Sequence, residues 1–276
     1  MNMSWLESVI YGFFSGISEF LPVSSAAHQQ IMLHLFGIES RDPVRDFFVH
    51  LGMLVAVIAS CRSFLDIVKR EMSSSNGHKR IESQSTRALF DWRLVRSAML
   101  PMLVGMFVLR FVLKLQDTLL LTALFLIING VILFLPNRMV QGNKTARSMS
   151  SLDGLLIGCS GVLSLISGVS RIACTYGTSI IRGAAKKNAL LWSLVLSIYA
   201  LLLLCLFDLI AAFTISGIDF WGSFFTYILS ALTSYAGSYV GISAMRYLTG
   251  RPSSDGFAYY CWGASLFSFV LYLTVA

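Results

Sequence analysis

Charged residues are scarce in this chain of 276 amino acids: Asp, Glu, Lys and Arg make up 13% of it, whereas 56% of the residues are hydrophobic. A soluble domain carries about 25% charged residues, because its surface must stay hydrated. The mean hydropathy of +0.73 points the same way. The composition therefore excludes an ordinary soluble globule and predicts a surface that mostly faces lipid.

Sequence signatures of soluble enzymes are missing as well. The chain contains no P-loop, no HExxH and no dinucleotide-binding GxGxxG. Its five cysteines stand singly, without a CxxC pair, and are expected to be buried hydrophobic residues. The net charge of +7 lies mostly in polar joints between apolar segments, which is typical of cytoplasmic loops and predicts no nucleic-acid partner.

Apolar segments fill most of the chain. Two of them, 5–36 and 152–181, are interrupted by polar breaks at 22–25 and 167–171. Irregular backbone at membrane depth is tolerated only where it lines a cavity, so each interrupted segment predicts a re-entrant helical hairpin. The remaining segments predict transmembrane helices at 47–60, 94–113, 119–135, 189–213, 220–245 and 257–275.

An internal repeat relates the two interrupted segments. A shift of the sequence by about 146 positions superposes both breaks and aligns identical residues, among them these four pairs: Gly12 with Gly158, Val23 with Val169, Ser24 with Ser170, and Ala27 with Ala173. Three spans per repeat is an odd number, so the second copy is expected to be inverted. The sequence thus predicts an all-α integral membrane protein, one domain over 1–276 with halves of about 1–136 and 152–276, each half a re-entrant helical hairpin plus three transmembrane helices.

The distribution of Lys and Arg predicts the orientation of the chain in the membrane. By the positive-inside rule the joints at 62–91, 136–152, 182–188 and 246–251 lie in the cytoplasm, and both termini lie outside. The first hairpin then enters from the periplasmic side and the second from the cytoplasmic side. We expect their tips to share one cavity.

The first break concentrates polar groups inside an apolar run: Glu19, Ser24, Ser25 and His28. Taken singly, a buried histidine is most often a structural group, and a serine at a helix start is most often a cap. Ionisable groups within a membrane are costly, however, and their combination at one break predicts a functional site.

The second break places Ser170 and Arg171 at a helix start, with Thr175 one turn later. An arginine there can bind phosphate through paired charge-assisted hydrogen bonds, with help from unpaired backbone N–H groups. The alternative is that Arg171 pairs with Glu19 and the two charges neutralise each other.

These two motifs resemble those of the undecaprenyl-diphosphate phosphatases that confer bacitracin resistance. The match is best at Glu-Phe-Leu-Pro-Val-Ser-Ser, residues 19–25, with His28, and weaker at Gly-Val-Ser-Arg, residues 168–171, with Thr175. The resemblance covers nearly the whole chain. It implies hydrolysis of the lipid undecaprenyl diphosphate to the monophosphate carrier of cell-wall synthesis, in a cavity open to the periplasm and in the bacterial cytoplasmic (inner) membrane.

The resemblance also implies a role for each motif residue. Glu19 would help to hold a divalent metal, magnesium or calcium. Ser25 and His28 would supply nucleophile or acid–base function, and Arg171 would assist catalysis. The residues implied to bind the substrate phosphates are Ser24, Ser170, Arg171 and Thr175.

The chain departs from the family pattern at a metal ligand. The family has an acidic or amide residue four positions before Glu19, where this chain has Ser15, so a dication should bind more weakly. The second motif also differs, with Ser167, Ile172 and Gly161 at positions where the family has other residues. Three functions remain open: a divergent phosphatase, a lipid-phosphate carrier or flippase, and a protein that only binds or senses the lipid. The sequence also leaves open a homodimer.

Overall fold

The computed structural model describes residues 3–38, 40–63, 65–66, 91–112, 118–139, 142–214, 220–250 and 255–275. Over these ranges the fold is helical and contains no β-strand, which confirms the prediction of an all-α protein. The helices are α1 (Trp5–Phe20), α2 (Ser25–Leu35), α3 (Pro43–Ser60), α4 (Trp92–Val112), α5 (Leu119–Phe134), α6 (Ser151–Val162), α7 (Arg171–Ile181), α8 (Lys186–Thr214), α9 (Phe220–Thr249) and α10 (Asp255–Val275).

Both interrupted segments form helical hairpins. Hairpin 1 consists of α1 and α2 with a break at 21–24, and hairpin 2 consists of α6 and α7 with a break at 163–170 that includes a short 3₁₀ turn. The first helix of each begins with a capping box: Ser4 with Glu7 in α1, and Ser150 with Asp153 in α6. In each box the serine hydroxyl and the acidic side chain accept hydrogen bonds from otherwise unpaired backbone N–H groups, which defines where the helix starts.

Four of the helices are long and apolar enough to cross a membrane, namely α3, α4, α8 and α10, as counted among the described residues. The apolar helix α5 is shorter, with 16 residues. Helix α9 has 30 residues, but buried serines such as Ser230 and Ser234 lower its hydropathy. The protein is a multi-pass membrane protein, and the predicted spans correspond to α3, α4, α5, α8, α9 and α10.

Helix α3 begins four residues before the apolar run that predicted it. Asp42 caps the helix by accepting hydrogen bonds from Val44 N and Arg45 N, and Pro43 occupies the first turn. Proline is favoured there, because its missing N–H would have no partner inside the helix. The earlier start brings Asp46 into the helix, facing the interior.

Helices of the two halves pack against each other in a reciprocal way. Helix α1 of hairpin 1 packs on α9, and α6 of hairpin 2 packs on α4. Helix α3 contacts α8, and α5 contacts α10. This pairing fits two equivalent halves, whereas the inverted orientation in the membrane stays a prediction. Most of the predicted cytoplasmic joint at 62–91 lies outside the described residues.

Candidate functional site

The breaks of the two hairpins contact each other directly. Ser24, the N-cap of α2, accepts a hydrogen bond from the backbone N–H of Gly168 at 3.2 Å. Ser170, the N-cap of α7, donates a hydrogen bond to the carbonyl oxygen of Leu21 at 3.4 Å. The tips of the two hairpins therefore lie together, as the repeat predicted.

Asn129, buried in the middle of α5, joins the two breaks a second time. Its Nδ2 donates to the carbonyl oxygen of Pro22 at 3.0 Å, and its Oδ1 accepts from the backbone N–H of Ser170 at 2.8 Å. The same Nδ2 contacts Cys261 Sγ in α10 at 3.3 Å. A buried amide that satisfies backbone groups of both breaks fixes their relative position.

Ser24 has an unusual backbone conformation. Its φ of +68° lies in the left-handed region, which residues other than glycine seldom adopt. Such conformations occur where the surrounding structure holds them, often at functional sites. Here the hydrogen bonds of the Ser24 hydroxyl with Ala27 N and Gly168 N hold it. The strained residue turns the chain so that α2 begins at Ser25.

A cavity of about 160 Å³ lies where the hairpins meet, and four of the predicted site residues line it: Glu19, Ser25, Ser170 and Arg171. The hydroxyl of Ser25 donates a short hydrogen bond to Glu19 Oε2. The guanidinium of Arg171 contacts Glu19 Oε1 through Nη2 at 2.6 Å. Glu19 is thus held between a hydroxyl and a cation, and both charged side chains are only 5% exposed.

The ion pair agrees with the alternative in which Arg171 neutralises Glu19, but the arginine keeps further bonding capacity. Its Nη1 donates to the carbonyl oxygen of Ser197 at 3.4 Å. Its Nε has no hydrogen-bond partner among the described residues. A buried charge without its partner is costly, so the pair stabilises both charged groups in the cavity wall.

The other three predicted site residues do not line this cavity. Ser24 holds the two breaks together, and the hydroxyl of Thr175 donates to the carbonyl oxygen of Arg171 at 2.8 Å inside α7. His28 faces an apolar groove of about 510 Å³ on another side of hairpin 1. Its Nδ1 contacts the Ser24 carbonyl oxygen and its Nε2 contacts the Tyr260 hydroxyl, both at 2.7 Å.

Several ionisable residues of the cavity were not foreseen from the sequence. Asp46 and His50 come from α3 and Asp208 comes from α8, while Arg41 and Arg110 also line the wall. A signal was present, because an Asp or His inside an apolar span is costly and indicates function by itself. It was overlooked because these residues stand singly, outside the two motifs.

The donors around Glu19 do not form a divalent-cation site as they stand. Both carboxylate oxygens are engaged, one by Arg171 and one by Ser25. The hydroxyl of Ser15, the position where the resemblance implied a metal ligand, is buried without a hydrogen-bond partner in the described part of the chain. Within that part, no three His, Cys, Asp or Glu side chains are placed to hold a metal. We therefore assign no step to a metal, whose presence stays a prediction.

Together, the fold and the site define a polytopic α-helical membrane protein in which two interrupted hairpins enclose a buried hydroxyl, carboxylate and guanidinium. The family model described as "Bacitracin resistance protein BacA" matches residues 8–267. The chain belongs to this family.

Similar proteins are known by the name undecaprenyl-diphosphatase. The one from Methanobrevibacter smithii is 30% identical over 97% of this chain and 98% of its own length. Undecaprenyl-diphosphatase 1 of Shouchella clausii is 28% identical over 97% of this chain and 96% of its own. The one from Desulforudis audaxviator is 34% identical over 71% of this chain and 72% of its own.

Proposed function

We propose that the protein is an undecaprenyl-diphosphatase, which hydrolyses the diphosphate of a long polyprenyl lipid to the monophosphate and inorganic phosphate. Its membership of the BacA family and the names of its relatives support this activity. The proposal places the protein in the bacterial cytoplasmic membrane, where the monophosphate serves as the carrier lipid of peptidoglycan synthesis. A homodimer stays a prediction.

The observation that carries the proposal is the contact of Ser25, Glu19 and Arg171 in one buried cavity. The Ser25 hydroxyl donates to the Glu19 carboxylate, which is the arrangement of a nucleophile and its base. Arg171 lies on the other side of the same carboxylate. A hydroxyl, a proton acceptor and a phosphate-binding cation are the groups that phosphoryl transfer requires.

The arrangement suggests how the diphosphate is attacked. Ser25 loses its proton to Glu19 as its oxygen attacks the distal phosphorus, and the bond from that phosphorus to the lipid phosphate breaks. As Glu19 becomes neutral, Arg171 loses its ionic partner and binds the phosphoryl oxygens instead. Ser25 and Arg171, the first residues of α2 and α7, also line the cavity, and the start of a helix favours an anion.

Of the remaining assigned residues, Ser170 lines the cavity, and the other three support the site from outside it. Ser24 and Thr175 hold the backbone at the starts of α2 and α7, so their proposed contribution to substrate binding is indirect. Ser170 lines the cavity next to Arg171. His28 is bound to Tyr260 of α10 and connects hairpin 1 with the C-terminal helix.

Phosphate release from undecaprenyl diphosphate by the purified protein in liposomes tests the proposal. We expect turnover by the natural sequence, and at least roughly a thousandfold loss in Ser25→Ala, as when other hydrolases lose their nucleophile. Ser243→Ala, which removes an exposed hydroxyl on α9, is the matched control and should keep full activity. The same assay with magnesium and with a chelator tests the predicted dication.

The liposome assay also separates an enzyme from a carrier. A carrier would move prenyl phosphate between the leaflets without releasing inorganic phosphate. Lipid transfer by the natural sequence with no phosphate released would contradict the phosphatase function. Binding of the lipid with neither transfer nor hydrolysis would leave a lipid-binding protein.

A further inference from the structure

A second acid–base pair lies in the wall of the cavity, apart from the motif residues. His50 of α3 and Asp208 of α8 contact each other through Nδ1 and Oδ2 at 2.6 Å. Their side chains are 12% and 15% exposed, and both line the cavity that contains Glu19, Ser25 and Arg171. The carboxylate can only accept, so Nδ1 donates, and a neutral imidazole then carries its lone pair on Nε2.

The Nε2 atom of His50 is available for chemistry. The described residues form no hydrogen bond with it, whereas both ring nitrogens of His28 have hydrogen-bond partners. The carboxylates of Asp46 and Glu19 line the same cavity as the His50 ring. A carboxylate that fixes the tautomer and stabilises the imidazolium is the arrangement of a general base.

The proposed phosphatase reaction, on which this inference rests, requires a second base. Once Ser25 has attacked, Glu19 holds the serine proton and cannot accept another one from water. That proton is needed on the Ser25 oxygen when the phosphoserine is cleaved. The water that cleaves it must therefore lose its proton to a different group in the cavity.

Other ionisable groups nearby are less suitable. Asp46 accepts a hydrogen bond from the Tyr11 hydroxyl at 2.9 Å and lies 3.9 Å from Arg41. His28 lines the other groove and is occupied by Tyr260. The unoccupied nitrogen of His50 is the acceptor that remains in the described part of the wall.

We propose that His50, positioned by Asp208, is the base that activates water for hydrolysis of a phosphorylated Ser25. The water proton passes to His50 Nε2 as the water oxygen bonds to phosphorus. The bond from phosphorus to the Ser25 oxygen breaks, and Glu19 returns its proton to that oxygen. Inorganic phosphate leaves, His50 releases its proton to solvent, and the enzyme is restored.

Quenched reactions with undecaprenyl diphosphate labelled on its distal phosphate test this role. In His50→Ala we expect phosphate release to fall by about a hundredfold or more, the usual contribution of a general base. One equivalent of lipid monophosphate should form in a burst, and labelled phosphoserine should accumulate on the protein. Adding Ser25→Ala to this variant should abolish the label.

Asp208→Asn should lower kcat with little change in KM, and Asp208→Glu should recover part of the lost kcat.

The controls distinguish chemistry from structure. His34→Ala, which changes a histidine of α2 outside the cavity, should neither slow the reaction nor accumulate phosphoserine. If His50→Ala fails to fold, His50→Gln keeps the size of the side chain without a base of suitable strength. Unchanged phosphate release in a folded His50 variant overturns the inference alone, as does slow release without phosphoserine. No turnover by the natural sequence overturns the phosphatase function, and this inference with it.

Discussion

Arg171 contacts a carboxylate in the resting site and, in the proposed reaction, a phosphate. Both contacts depend on the shape of the guanidinium, which donates along several directions from one plane. In the structure it reaches Glu19 through Nη2 and the Ser197 carbonyl oxygen through Nη1. Its Nε has no hydrogen-bond partner among the described residues and can donate to a further acceptor. A lysine offers a single ammonium and cannot make these contacts at once.

We therefore predict that Arg171→Lys lowers kcat/KM for undecaprenyl diphosphate although the charge is kept. The loss of charged hydrogen bonds corresponds to about 1.5–3 kcal/mol, which is roughly a ten- to hundredfold decrease. Phosphate release by the purified variant measures this. Arg246→Lys is the matched control, since Arg246 bonds the Ser60 carbonyl oxygen on an exposed surface. Equal kcat/KM in natural and Arg171→Lys proteins would exclude Arg171 as a phosphate ligand.

At the scale of residues, the sequence predicted the site only where polar groups are clustered. Glu19 and Ser25 could be paired because both stand at one break, and Arg171 could be joined to them because the repeat superposes the breaks. Spacing along the chain cannot show which side of a hairpin a residue faces, so His28 was grouped with Ser25. Nor can it pair His50 with Asp208, which are 158 positions apart.

At the scale of helices, α1 of hairpin 1 packs against α9 through glycines on both helices. Gly12 and Gly16 of α1 lie against the backbone of α9, and Gly237 and Gly241 of α9 lie against the backbone of α1. Helices in lipid associate mainly by close packing, since burial of apolar surface gives little there, and small residues four apart allow the closest approach. The sequence showed where the helices are, but their partners depend on surfaces that no periodicity identified.

We predict that Gly237→Val destabilises the protein by separating α1 from α9. A Cβ at this position would overlap the Phe13 carbonyl oxygen and lie 3.1 Å from Ile17 N, so backbone would have to move. Overpacking of this kind costs about 1–3 kcal/mol. The check is a lower Tm in thermal unfolding in detergent. Gly263→Val in α10 makes the same change where nothing lies within 4 Å, and it should keep the natural Tm. Equal Tm values for the two variants would show that this packing contributes little.

At the scale of the whole molecule, the cavity exists only because the two halves meet. Hairpin 1 supplies Glu19 and Ser25, hairpin 2 supplies Ser170 and Arg171, and α3 and α8 add His50 and Asp208. Each half contributes one hairpin and the helix that follows it. The repeat in the sequence predicted this joint site. It did not predict Asn129, because a single amide inside an apolar span gives no sign of what it bonds.

Asn129 of α5 connects the two halves at the cavity through its hydrogen bonds to Pro22 and Ser170. Asn129→Leu would leave the Ser170 N–H without its partner, at a cost of about 1–3 kcal/mol, and the Pro22 carbonyl with only the weak contact from Cys261 Sγ at 3.9 Å. The two breaks would then lose their fixed spacing, and Arg171, directly after Ser170, would move relative to Glu19. We expect phosphate release to fall by roughly a hundredfold, because displacement of a catalytic group by about 1 Å has such an effect.

Ser268→Ala is the control, because it removes one buried hydrogen bond between α10 and α5 away from the breaks. It should lower the stability somewhat, with little loss of activity. Both variants should be assayed at a temperature where each remains folded. Full turnover by folded Asn129→Leu would show that the hairpins keep their positions without this connection.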